Sequence, residues 1–132
     1  MDCIIEHIII LSNTIFNELG SGFAECIYQK ALFYELVEHN YIVEIEKIIP
    51  ITYKNMNIGS GRVDLFIKNR NGFNLIIELK AISGPIGNKE LTQLKTYSRN
   101  IDMECGGLII NFPQSGSKTH RDQIDFIKLD IL

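Results

Sequence analysis

The sequence predicts a mixed α/β fold (an α+β mixed sheet covered by helices) with elements in the order ααβββαββ. Three observations indicate this class. Apolar residues recur at helical spacing through about the first 40 residues. From about residue 42 onward, β-branched residues alternate as in strands. One more helical segment separates two later strands that are continuously apolar, which is typical of a sheet whose strands are joined across a helix.

Apolar spacing and glycine define the two N-terminal helices. In residues 2–19 an apolar side chain recurs every three or four positions. The Gly-Ser-Gly run at 20–22 ends this helix, because glycine tolerates the left-handed backbone of a helix end. A second helix is predicted over residues 23–39. Its inward stripe includes Tyr28, Leu32 and Leu36, whereas Gln29, Lys30, Glu35 and Glu38 mostly face water.

Strand patterns and one further helix occupy the rest of the chain. Pro50 in the first strand favours an edge position or a bulge. Gly59 and Gly61 in the second strand indicate a bulge or a close backbone approach. The third strand is apolar on both sides, as expected at the centre of a sheet. The predicted strands are 42–53, 58–68, 73–81, 105–112 and 123–129, and the predicted helix is 89–101.

Composition limits the class of protein. The chain has 132 residues, 45% hydrophobic and 22% charged, which excludes a disordered tail and a disulfide-rich scaffold. We predict a single domain over residues 1–132, with a helical pair at 1–40 and the sheet with its crossover helix at 41–132. The net charge of −3 excludes a strongly basic nucleic-acid binder, but not an enzyme with a local basic path.

The cysteines indicate a reducing compartment. The chain has an odd number of cysteines, namely Cys3, Cys26 and Cys105, and their spacing matches no metal-binding motif. We interpret them as free thiols. The apolar run at residues 3–11 is interrupted by polar residues and has no basic leader, so neither a signal peptide nor a membrane span is predicted. We expect an intracellular, soluble protein with no membrane partner.

Three polar residues lie on the predicted central strands. Glu78 and Lys80 share one face of the third strand. The turn at 69–72 places Asp64 opposite about residue 77 or 78, so Asp64 and Glu78 should be close neighbours. Like charges this close repel, and Lys80 or, better, a divalent cation would offset them. A Glu78–Lys80 ion pair at the end of the sheet is the structural alternative. In the second strand, Val63, Leu65 and Ile67 are predicted on one face and Asp64 and Phe66 on the other.

Glu25 is a third candidate carboxylate, at the start of the inward stripe of the second helix. From its position alone a capping role is favoured, because with Gly22 as N-cap Glu25 would occupy N3. Gln93 and Tyr97 lie four residues apart on one face of the third helix. Tyr97 taken alone is typical of a half-buried core residue.

Together these residues resemble the PD-(D/E)XK nuclease superfamily. The resemblance covers residues 19–112, with the motifs in the expected order. Val63 replaces the proline of the superfamily's name, and the loop between Lys80 and Gln93 is longer and richer in glycine than is typical, with no evident histidine. The matching segments are Asp64 with Glu78-Leu79-Lys80 (D…E-x-K), Gln93 to Tyr97 (the Q-x-x-x-Y of RecB-like members), Gly22 to Tyr28 (the G-x-x-E-x-x-Y of GxxExxY proteins) and Leu108 to Phe112 (the late strand).

The resemblance implies a restriction-endonuclease-like core with helices on both faces, and a metal-dependent nuclease acting on DNA rather than RNA. It implies that Lys80 orients or helps deprotonate the attacking water, that Gln93 helps to orient the site and that Tyr28 holds the Glu25 helix by packing. The implied ligands of Mg²⁺ or Mn²⁺ are Asp64, Glu78, the Leu79 carbonyl and Glu25. The candidate nucleic-acid contacts are Tyr97, Arg62, Lys95 and Arg99, and Lys80, Lys89, Lys95 and Arg99 could form a basic path. The basic run at 118–121 could also touch a phosphate backbone, although such runs are more often only solvated.

Two other classes of function stay open. A catalytically silent nuclease-fold module would bind nucleic acid or a protein partner without cutting. For the nuclease, a homodimer or partner protein could supply further contacts to the nucleic acid. A purely structural domain would contain Glu78–Lys80 and Asp64–Arg62 ion pairs. It would show no metal-dependent change in thermal stability.

Overall fold

The computed structural model of the protein describes residues 2–70, 72–114 and 123–129. Residue 71 of the predicted 69–72 turn and the basic run at 118–121 lie outside the described residues. The elements are α1 (Asp2–Leu19), α2 (Glu25–Glu38), β1 (Val43–Tyr53), β2 (Met56–Arg70), β3 (Phe73–Lys80), α3 (Asn88–Arg99), β4 (Gly106–Asn111) and β5 (Asp125–Leu129). This order confirms the predicted ααβββαββ arrangement.

The five strands form one mixed sheet in which neighbours in space are also neighbours in sequence. The β1–β2, β2–β3 and β4–β5 pairs are antiparallel, whereas β3 and β4 are parallel. A parallel pair requires a crossover connection, and α3 supplies it. As a result β3, which carries Glu78 and Lys80, is the central strand, as its apolar sequence predicts.

Two hydrophobic clusters lie on opposite faces of the sheet, which confirms the prediction of helices on both faces. On one face, α1 and α2 pack against Leu65, Ile77 and Leu108. On the other, Leu94 and Tyr97 of α3 pack with Ile76 and Ile109. Within the described ranges, no helix is long and apolar enough to cross a membrane.

The start of α2 differs from the prediction, and the difference changes the setting of Glu25. Gly22 is left-handed (φ 105°), and Ala24 is extended (ψ 155°), so the helix begins at Glu25 rather than at residue 23. Ala24 is the N-cap and makes no side-chain capping bond. The capping role considered for Glu25, with Gly22 as N-cap and Glu25 at N3, is therefore wrong.

The β2 strand does not alternate regularly around Asp64. Leu65 packs in the cluster under α1 and α2, but Val63 packs with Phe66 in the cluster under α3. The prediction that Val63 shares a face with Leu65 and Ile67 is therefore wrong. The β1–β2 register passes from Ile45↔Leu65 to Lys47↔Val63 without pairing Asp64, so the interruption of the alternation coincides with an unpaired residue.

The edge strand β1 departs from regular geometry at two places. Glu46 has a left-handed backbone (φ 53°), and the register with β2 shifts between Ile51 and Thr52. Pro50 lies opposite Ser60 on this edge strand, where a missing N–H is tolerated. The edge position predicted for Pro50 is confirmed.

Gly61 provides the close approach that the sequence predicts. A Cβ at Gly61 would overlap the Tyr97 ring, whereas a Cβ at Gly59 would meet nothing within 4 Å. We expect Gly61→Ala to lower the free energy of unfolding by about 1–3 kcal/mol, because the buried ring cannot give way freely. Gly59→Ala is the matched control and should be nearly neutral. Urea denaturation measures both, and equal effects of the two changes would contradict the prediction.

Candidate active site

The β2–β3 hairpin brings Asp64 and Glu78 together. An Asp64 carboxylate oxygen (Oδ2) accepts a hydrogen bond from the Leu79 N–H at 2.7 Å. The Asp64 N–H donates in turn to Glu78 Oε1 at 3.4 Å. Only 6% of Glu78 is exposed. The neighbouring carboxylates expected from the hairpin register are therefore present.

This acidic pair is electrostatically unfavourable in the absence of a cation. Burial, reinforced by the charge of Asp64, raises the pKa of Glu78 to about 8. Burial also raises the pKa of Asp64, although the Leu79 N–H and Lys80 act against this. A hydrogen-bonding contribution from the Glu78 carboxyl acts in the opposite sense and lowers the pKa of Asp64. A positive ion beside the pair would relieve the repulsion.

Lys80 lies near this pair without forming an ion pair. It lowers the pKa of Asp64 and of Glu78 by its charge. Among the described residues, neither a Glu78–Lys80 nor an Asp64–Arg62 contact is found among the ion pairs within 4.0 Å. Arg62 instead contacts Glu46 at 3.4 Å on the surface. The two ion pairs required by a purely structural interpretation are thus absent.

Glu25 faces the pair from the first turn of α2. Its side chain remains exposed. The pKa of Glu25 is raised, chiefly by partial burial and further by the charge of Asp64, while the charge of Lys80 acts against this rise. Over the ranges 2–70, 72–114 and 123–129, no three carboxylate, imidazole or thiol groups converge closely enough to hold one metal ion. Glu25 therefore stands apart from the acidic pair in this arrangement, and its ligand role stays a prediction.

Gln29 is a polar residue of the site that sequence reasoning missed. It is 6% exposed, and its side-chain amide donates to the Asp64 carbonyl at 3.0 Å. The assignment of Gln29 to the water-facing side of α2 is therefore wrong. The gap in the β1–β2 pairing at Asp64 explains this, because the Asp64 carbonyl takes a partner from outside that ladder. The signal was the spacing, since Gln29 lies one helical turn after Glu25 and shares its face.

Replacing Gln29 tests this link. Gln29→Met keeps the size of the side chain but leaves the Asp64 carbonyl without its partner. We expect the free energy of unfolding to fall by about 1–3 kcal/mol, the cost of a buried unsatisfied polar group. Lys30→Met, on the exposed side of α2, is the control and should change it little. Chemical denaturation measures the difference, and a stable Gln29→Met variant would contradict the assignment.

The structure pairs Gln93 with Tyr97, as their spacing predicts. The Gln93 amide donates to the Tyr97 hydroxyl at 2.8 Å. Tyr97 is 9% exposed and belongs to the cluster under α3, with its ring against Gly61. This placement favours packing over a phosphate contact for Tyr97.

Comparison with known proteins agrees with this geometry. The sequence profile of the PD-(D/E)XK nuclease superfamily matches residues 2–124. The chain belongs to the PD-(D/E)XK nuclease superfamily. The match covers most of the chain and both strands that carry the acidic pair. Membership in the superfamily supports phosphodiester hydrolysis as the class of activity.

A solved structure shows the same fold. The crystal structure of SSO0001 superimposes with a TM-score of 0.56 at 24% identity, and covers 79% of this chain. The chain spans 49% of that protein, about half its length. This likeness supports the fold alone. No curated protein matches the sequence significantly.

The acidic pair fits the divalent cation that superfamily nucleases generally use. Mg²⁺ is commonly held by one or two carboxylates, with water and substrate phosphate completing its coordination. Asp64 and Glu78 supply two carboxyl groups, and carboxylate oxygens are hard donors for such a cation. Glu25 lies within electrostatic range of the same place.

The candidate nucleic-acid contacts other than Tyr97 lie on the surface. Arg62, Lys95 and Arg99 are all exposed. Lys95 and Arg99 are four residues apart and so share one face of α3. Of these three, only Arg62 has an ion-pair partner among the described residues, Glu46.

Proposed function

We propose that this protein is a Mg²⁺- or Mn²⁺-dependent nuclease that hydrolyses phosphodiester bonds in DNA, and that it belongs to the GxxExxY group with a RecB-like Q-x-x-x-Y motif. The observation that carries the proposal is the Asp64–Glu78 pair, in which Glu78 is buried and Asp64 half-buried, with the charge of Lys80 acting on it. Two neighbouring carboxyl groups, one of them buried, are costly to a folded protein when no ion pair compensates them. A metal-binding role accounts for it.

Asp64 and Glu78 would hold the ion, together with the carbonyl of Leu79. The Leu79 N–H points toward Asp64, and in a strand the carbonyl of the same residue lies on the same side. When bound, the ion would polarise the phosphoryl oxygen and lower the pKa of a water molecule. Glu25 would bind it directly or through water.

Lys80 would act on the attacking water and on the phosphate. It follows Glu78 on the same face of β3, and its charge acts on the acidic pair. From there it can orient the water, accept its proton when neutral and offset charge on the phosphate. Gln93 and Tyr97 would hold α3 in position, while Arg62, Lys95 and Arg99 would contact the phosphate backbone.

A cleavage assay tests this function. Single-stranded, double-stranded and branched DNA, and RNA of the same sequence, are incubated with Mg²⁺ or Mn²⁺. We expect cleavage of DNA by the wild type and none by Lys80→Ala or Asp64→Asn, with Lys30→Met as the active control. Equal trace activity in wild type and variants would mark contamination and refute the proposal.

One observation favours a second candidate, a nuclease-fold module that binds nucleic acid or a protein partner without cutting. Within the described residues only two carboxylates, not three, are close together. For such a module the same assay shows no cleavage, and a gel-shift or pull-down experiment shows binding. A homodimer or partner protein would then add the contacts that a chain with a net charge of −3 lacks.

A further inference from the structure

We infer that Gln114, in the loop after β4, is a positioning residue that fixes Glu25 relative to Asp64 and Lys80. The inference rests on the proposed function, because it gives Glu25 a part in the same site. It adds a residue that lies outside every motif recognised in the sequence.

The Gln114 side chain joins the N-terminal turn to the end of the sheet. Its Oε1 accepts a hydrogen bond from the Gly22 N–H at 2.8 Å. Its Nε2 donates to the Phe112 carbonyl at 2.8 Å and to the Tyr28 hydroxyl at 3.3 Å. The backbone N–H of Gln114 donates to the Ile82 carbonyl at 3.3 Å. One side chain thus connects segments 92 residues apart.

Tyr28 makes the other half of this connection. Its hydroxyl donates to the Gly20 carbonyl at 2.7 Å, and its ring stacks on Phe112 with centroids 4.4 Å apart. Tyr28 is fully buried. The Phe112 N–H donates to the Lys80 carbonyl at 2.9 Å, so this loop is fixed to the residue that ends β3. The turn from residue 20 to residue 23 is therefore held against the strand that carries Lys80.

Glu25 has no ion pair of its own to fix its position among the described residues. Its carboxylate is exposed, so the backbone at the start of α2 determines where it stands. That backbone is anchored before Glu25 by Gln114 and Tyr28, and after it by Gln29 on Asp64. Groups that orient a metal-binding side chain in this way typically change metal affinity or activity by about 10–100-fold when they are removed.

A double-mutant cycle between Gln114→Ala and Glu25→Gln tests the inference. Two quantities are measured for each variant. One is the rate of DNA cleavage, and the other is the Mn²⁺ dissociation constant, which electron paramagnetic resonance gives for the protein without substrate. In the wild-type background we expect Gln114→Ala to lower the cleavage rate about tenfold and to raise the Mn²⁺ dissociation constant about tenfold. In the Glu25→Gln background we expect less than about a twofold effect, because Gln114 acts through Glu25.

Two variants keep the test specific. Tyr28→Phe removes the hydroxyl but keeps the stack on Phe112, so it should follow the same pattern if Gln114→Ala fails to fold. Asn13→Ala loses one hydrogen bond of similar length, from the Ile124 N–H at 2.9 Å. It is the control for a general loss of stability and should not depend on Glu25.

The outcomes separate the inference from the proposed function. An active wild type in which Gln114→Ala has the same effect with or without Glu25 overturns the inference and leaves the function intact. A wild type that neither cleaves DNA nor binds Mn²⁺ overturns both. A strong effect that disappears in the Glu25→Gln background supports the positioning role.

Discussion

Glu78→Gln is expected to lower the cleavage rate at least about a hundredfold, because a metal-bound site supplies several kcal/mol of transition-state stabilisation and each 1.4 kcal/mol is worth tenfold. The same change should stabilise the protein in the absence of metal. Glutamine keeps the size of the side chain but carries no charge beside Asp64. The pKa of Glu78 is raised to about 8, so its ionised form destabilises the fold.

The gain in stability has an upper bound. The part of the Glu78 pKa shift that lies below pH 7 is converted at about 1.4 kcal/mol per pKa unit. Removal of this carboxyl therefore raises the free energy of unfolding at pH 7 by at most about 3 kcal/mol. Urea denaturation and the cleavage assay measure the two effects on one preparation. Glu35→Gln, on α2, is the matched control. A Glu78→Gln variant that is less stable than the wild type would show that Glu78 has a structural role in place of a metal-binding one.

Without divalent metal, stability is expected to fall as the pH rises from about 4.5 to about 8. In the unfolded chain Glu78 ionises near its ordinary pKa of 4.5, whereas in the folded protein it ionises near 8. Between these values the folded state binds more protons than the unfolded state, so the free energy of unfolding decreases with pH. The raised pKa values of Asp64 and Glu25 act in the same direction.

Mn²⁺ should reverse this slope. The ion binds the ionised carboxylates, so its stabilising effect grows as the pH rises. Thermal melts from pH 5 to pH 8, with EDTA or with Mn²⁺, measure both trends. The Glu78→Gln variant isolates the contribution of Glu78, because its melts with EDTA should depend much less on pH. Identical pH profiles of wild type and variant would contradict the assignment of this carboxyl.

The sequence predicted the parts of the structure that depend on local pattern. The α1 helix, the order of the elements and the neighbouring positions of Asp64 and Glu78 follow from apolar spacing and one hairpin register. Gln114 could not be found in this way, because its partner Gly22 is 92 residues distant. The packing of Val63 on the α3 side likewise departs from strict alternation and could not be read from the local pattern.

The edge strand β1 has a consequence for self-association. No strand in the described part of the chain pairs with its outer edge, and Ile45 and Ile48 are exposed on this strand. Such edges recruit further strands when they are flat and regular, which leads to edge-to-edge aggregation. The left-handed backbone at Glu46 and the missing N–H of Pro50 interrupt that template. The irregular segment beside the acidic pair therefore also ends the sheet, because it denies a sixth strand the straight row of donors and acceptors that it needs.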